Sequence, residues 1–192
     1  MQSPYVSMYL SISTLILTTG SLASYSPATS YLISTCDDAT YSNLCLETLL
    51  PDVDRINSTP KKSTRLAIAA TIAVAQSGSK SITQLSKQPQ VWSREANSLD
   101  DCSTSIANSV KGLNAALDTT DHLGGGSKSD KESKRVSMVN NIRPVLTAID
   151  TCLKNLQGLR ARDVVLNRVQ DSMTPLNHLA TNAIDLIRRM QF

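Results

Sequence analysis

Aromatic side chains are scarce in this sequence, which has one Phe, one Trp and five Tyr among 192 residues. Lys and Arg are spread from Arg55 to Arg189 without a dense cluster, and the formal net charge is only +3. Few rings to stack on bases and no concentrated positive field argue against nucleic acid as a partner. No Cys-x-x-Cys is present, and the two histidines, His122 and His178, lie far from any cysteine in sequence. That removes the usual zinc spacings, and no metal or other cofactor is expected. Nothing in the chain reads convincingly as strand.

Charge is also missing from one end. Residues 1–36 contain no Lys, Arg, Asp or Glu, and the mostly apolar run from Val6 to Leu17 gives way to Thr-Thr-Gly-Ser-Leu-Ala-Ser. That run is shorter than the roughly 20 residues a bilayer demands. Ser21-Leu22-Ala23 places small residues where a signal peptidase reads them. Residues 1–23 therefore read as a secretory signal peptide and 24–192 as the domain it exports, with no membrane attachment once the leader is removed. The competing reading is a signal anchor, which the absence of a basic side chain ahead of the apolar run favours. A mildly basic exported protein suits acidic polysaccharide better than nucleic acid.

What is present is apolar periodicity at helical spacing. A short helix is expected from about 29 to 35 and another from about 38 to 50, where Pro51 stops it. The polar run 55–63 reads as a linker, with Ser63 or Thr64 able to cap the next helix. Asn57-Ser58-Thr59 within it is a glycosylation sequon. Ile68, Ile72, Ala75, Ser79 and Ile82 mark a buried helix over 64–87. Leu99, Cys102, Ile106, Val110, Leu113 and Leu117 mark a second long helix, which ends at Gly124-Gly125-Gly126. GGGSKSDKESK, polar and low in complexity, reads as a mobile loop. A third helix carries Val139, Ile142, Leu146, Ile149, Leu153 and Leu156, and a fourth carries Val169, Met173, Leu176, Ala180, Ala183, Ile187 and Met190. This specifies an all-α fold, an up-down-up-down four-helix bundle behind an N-terminal helical hairpin. Pro144 and Pro175 fall inside the last two patterns, where kinks are expected.

An even number of cysteines in an exported chain points to two disulfides. Cys102 and Cys152 each lie 25 residues from position 127, inside the turn that joins the second and third helices. Antiparallel helices bring such positions to the same height, so these two should pair. Cys36 and Cys45 then pair by elimination. Along one continuous helix they would be separated by about 13 Å of rise, so the chain must turn between them.

These residues carry a resemblance. The chain resembles the plant invertase and pectin methylesterase inhibitor family in Cys36, Thr40, Tyr41 and Cys45, in Ser98-Leu99-Asp100-Asp101-Cys102, in Leu146-Thr147 with Asp150-Thr151-Cys152-Leu153, and in Thr181-Asn182-Ala183. The resemblance implies the same bundle, disulfides joined first to second and third to fourth, and a secreted cell-wall protein of the apoplast that acts as an inhibitor. It implies pectin methylesterase as the partner, bound non-covalently with its pectin-binding cleft occluded; acid invertase of the wall or vacuole is the alternative. Thr151 matches a threonine at the contact surface of the esterase inhibitors. Thr104, Asn108 and Lys111 stand on the helix after the third cysteine, where the inhibitor that defines the mode carries acidic residues. Other departures are Ile106 for a tyrosine, Asn141 for a tryptophan and Pro144 for an alanine, and the Pro-Lys-Phe tripeptide associated with invertase inhibition is not present.

No catalytic group is expected, and the protein is not read as an enzyme. Asp100 and Asp101 diverge by about 100 degrees on a helix, so they would not face one substrate. No nucleophile accompanies either histidine. Trp92 reads as a packing anchor. Arg188-Arg189 could mark the processing site of a pro-region, but reads more simply as two cations complementing a helix C-terminus. A small-molecule carrier would need a lined cavity, which the close-packing stripes argue against.

Overall fold

The computed structural model describes residues 26–191, so the leader expected over 1–23 lies outside the described residues. Seven α-helices follow one another, and no strand occurs among the described residues. Helix α1 spans Pro27–Asp37. Ser26 caps it, its hydroxyl accepting from the Thr29 amide at 3.1 Å, and Pro27 occupies a position whose missing N–H costs nothing. Helix α2 spans Ser42–Leu49, and a short 3-10 turn at Leu50–Asp52 carries the chain past Pro51 into α3, Val53–Ile56. The long helices are α4 (Pro60–Ser86), α5 (Ser93–Asp121), α6 (Lys128–Gly158) and α7 (Asp163–Arg189).

Several boundaries differ from the sequence reading. Helix α2 starts at Ser42 rather than near 38, because residues 38–41 form the turn that lets Cys36 meet Cys45. Helix α4 starts at Pro60, so Ser63 and Thr64 are not caps. Both are buried, and the Ser63 hydroxyl donates back to the Pro60 carbonyl at 3.0 Å. The stretch read as a mobile loop is mostly helix. The Asp130 amide donates to Ser127 Oγ at 3.1 Å, and the Ser127 amide donates to Asp130 Oδ2 at 2.9 Å. This reciprocal cap starts α6 at Lys128. The low-complexity composition concealed it, because a cap rests on two residues rather than on the average of eleven. Helices α6 and α7 both continue through their prolines. Pro144 and Pro175 face solvent, away from the packed stripe that holds each helix in place.

The long helices form an antiparallel square in which α5 packs on α4 and α6, and α7 packs on α4 and α6. Ile68, Ile82, Leu99, Ile106, Leu113, Ile142, Leu156, Met173 and Leu176 fill its centre and are essentially inaccessible. At one crossing the backbones of α5 and α6 nearly touch. A Cβ added to Gly112 would lie 2.3 Å from the Asn141 carbonyl oxygen. That contact is possible only without a side chain.

The hairpin of α1 and α2 is closed by Cys36–Cys45, with Cα atoms 5.5 Å apart. It is docked on α7 by side chains that read the loop's backbone. Buried Asn182 accepts from the Tyr41 amide at 3.0 Å and donates to the Tyr41 carbonyl at 2.9 Å. Asp185 accepts from the Thr40 amide at 3.0 Å and the Thr40 hydroxyl at 2.7 Å. The Tyr41 ring stacks on His178 with centroids 3.6 Å apart.

Candidate functional site

Cys102 and Cys152 join α5 to α6 with Cα atoms 5.1 Å apart, and both are buried. Between the same two helices runs an open groove of about 640 Å³, lined by Ser105, Asn108, Arg143, Pro144, Thr147 and Thr151 among others. It brings together two of the residues expected at a contact surface, Asn108 and Thr151. Thr104 turns instead into the adjacent groove between α4 and α5, beside Lys80 and Thr83. Lys111 is exposed on α5 beyond both grooves. Steps of four and three residues still align Thr104, Asn108 and Lys111 along one outward stripe of α5.

The side chains of the α5–α6 groove are hydroxyls, amides, one guanidinium and the apolar Pro144 and Ala148, and no thiol, imidazole or carboxylate lines it. Hydrogen bonds and shape are what such a surface can supply. Asp150 beside it is paired with Lys154 at 2.7 Å. The paired aspartates do not converge: Asp100 accepts from Ser86 of α4 at 2.6 Å, and Asp101 is exposed. His122 ends α5, its Nδ1 2.8 Å from the Asp118 carbonyl. Asn57 is exposed between α3 and α4, in a left-handed conformation with φ 46°.

The end of the bundle holds residues that the sequence reading missed. Glu95 is fully buried, where it joins the loop before α5 to the loop before α7. One carboxylate oxygen accepts from the Trp92 amide at 3.0 Å and the Arg162 guanidinium at 2.8 Å. The other accepts from the Arg162 amide at 2.9 Å. The hydrogen bond from the Arg162 side chain outweighs the opposing effect of burial and holds the Glu95 carboxyl down at about 2, against an ordinary 4.5. Glu95 at the third position of α5 is a sequence-level capping signal. Its partner 67 residues away is not. Trp92 is not the packing anchor expected: it is 49% exposed, with the Arg162 guanidinium 4.6 Å and that of Arg94 5.4 Å from its ring. A solvent-facing ring needs less apolar surface around it than a core ring, and here two cations cover it.

Among the described residues, no group of three or more His, Cys, Asp or Glu could hold a metal ion. No described helix is long and apolar enough to cross a membrane.

The chain is 26% identical over 159 residues to pectinesterase inhibitor 3 of Arabidopsis thaliana, covering 82% of this chain and 77% of that protein. It is 25% identical over 162 residues to pectinesterase inhibitor 10 of the same plant, where it spans only half the length of the relative. The fold matches the crystal structure of mutant form A of a pectin methylesterase inhibitor from Arabidopsis, with a TM-score of 0.62 at 19% identity, covering 83% of this chain and 97% of that one. The sequence profile of the plant invertase/pectin methylesterase inhibitor family matches residues 30–186, from the docked hairpin through the helix that holds it, and the chain belongs to that family.

Proposed function

We propose that this protein is a secreted inhibitor of pectin methylesterase that binds the enzyme non-covalently and occludes its pectin-binding cleft with the α5–α6 face. The family is one of inhibitors rather than enzymes. The observation that carries the reading is the match of most of this chain to proteins named as pectinesterase inhibitors. The geometry supports the choice of face. The Cys102–Cys152 bridge ties together the two helices that carry Asn108 and Thr151 and restrains them, so the groove enters binding with little freedom left to lose. Thr151 and Asn108 are assigned the central contacts, and Thr104 and Lys111 extend the stripe along α5. Export through the leader at 1–23, mature residues 24–192, a glycan on Asn57 and residence in the apoplast complete the proposal.

Titration of the purified protein against a pectin methylesterase tests it, with an acid invertase in parallel. Loss of esterase activity near one equivalent is expected. Loss of invertase activity alone would move the assignment to the alternative target, and no effect on either enzyme would refute the inhibitor reading. Thr151→Arg, which places a long cation in an open groove, should weaken esterase inhibition by about tenfold or more with an unchanged melting temperature.

A further inference from the structure

A second groove, of about 320 Å³, lies on the other side of α6, between it and α7. Arg135, Val136, Val139, Asn140, Arg143 and Arg188 line it, three guanidinium groups and no carboxylate. Arg135 is held in place, donating to the Arg188 carbonyl and, at 2.6 Å, to Glu132. None of the described carboxylates is paired with Arg143 or Arg188. The nearest acidic residue on α7, Asp185, is turned to Thr40. Val136 is 50% exposed beside these cations, an apolar step on which a flat ring face can rest. The whole chain carries only +3, so the two unpaired guanidinium groups of Arg143 and Arg188 on one groove are a local concentration of positive charge.

We infer that the α6–α7 groove binds a linear polyuronate, with Arg143 and Arg188 taking successive carboxylates and Val136 contacting a sugar face. Planar guanidinium groups match carboxylates in two-point hydrogen bonds. Apolar Val136 in one groove with charged donors suits a chain of carboxylated rings better than a polyanion whose charged groups stand clear of any ring. The choice of polymer rests on the esterase reading, because hydrolysis of pectin methyl esters leaves galacturonate carboxylates where that enzyme works. The groove shares Asn140 and Arg143 with the proposed inhibitory face. An inhibitor so equipped would gather on pectin already de-esterified.

Equilibrium binding of the full exported chain to a size-defined oligogalacturonate, without any esterase, tests the inference. The de-esterified oligomer should bind about tenfold more tightly than its fully methyl-esterified counterpart, and added salt should weaken it. Arg188→Gln should reduce affinity about fivefold. Val136→Asp, which sets a negative charge in the groove, should reduce it further. Equal affinity for the esterified and de-esterified oligomers, or for polyglutamate and the oligogalacturonate, would overturn the inference, as would unchanged binding by both variants. Failure here with esterase inhibition retained removes only this groove's role. Retained binding with no inhibition removes only the preceding proposal.

Discussion

Replacing Glu95 by Gln tests whether one buried ion pair holds the two loops at the end of the bundle. The carboxylate accepts from two backbone amides and from the Arg162 guanidinium, so the variant loses charge-assisted bonds on both loops at once. Holding this carboxyl at about 2, against an ordinary 4.5, corresponds to about 3 kcal/mol of stabilisation at neutral pH. Part of that reflects a position at the bundle's end, where solvent around Arg162 screens the pair, and about 2 kcal/mol is the expected loss. For a domain of this size that lowers the melting temperature by about 4 to 8 °C. Its pH dependence is the sharper readout. The folded carboxyl titrates below the unfolded one, so the stabilisation is complete above about 4.5 and is lost as the pH falls toward 2. Denaturant unfolding of both proteins at a series of pH values should therefore show a gap that is constant near neutrality and closes in acid. Asp121 and Asp130 are also held below the ordinary range, by bonds from Arg65 and Ser127, but they are common to both proteins and cancel in the difference. A gap that does not change between neutral and acid pH would refute the account, because a purely steric effect of the amide has no reason to titrate.

Removing Cys102–Cys152 by paired serine substitutions should cost about 4 kcal/mol, and removing Cys36–Cys45 about 3 kcal/mol, because the larger loop restrains the unfolded chain more; unfolding midpoints of the two variants check the order. Asn182→Leu should cost about 2 kcal/mol by leaving the Tyr41 backbone groups unpaired. Limited proteolysis should then cut between α1 and α4 before the bundle. Gly112→Ala should destabilise by about 2 kcal/mol, because the new methyl meets backbone rather than a movable side chain; a thermal melt detects it, and an unchanged melting temperature would show that α5 and α6 separate freely.

Much of the fold was legible because its signals are local or covalent. The three-four alternation from Val139 to Leu156 marks α6, and equal distances from a turn pair Cys102 with Cys152. Thr40, Tyr41 and Asn182 could be recognised as markers, but their purpose could not. Only the docked hairpin shows that Asn182 reads the backbone of Tyr41. The start of α6 was obscured by averaging over polar residues, and the exposure of Trp92 was obscured by its apolar type.

The sequence by itself determined the helical class, the order and approximate extent of the long helices, both disulfides and the family, since periodicity, chain reversal and motif spacing act along the chain. Tertiary structure decided what each surface residue faces. A few tens of degrees of helix rotation separate Asn108, in the α5–α6 groove, from Thr104, turned to α4. Packing likewise joins Glu95 to Arg162 and gathers Arg135, Arg143 and Arg188 around one groove. Such meetings depend on how helices far apart in sequence turn against one another to bury their apolar stripes, and no local pattern records that rotation.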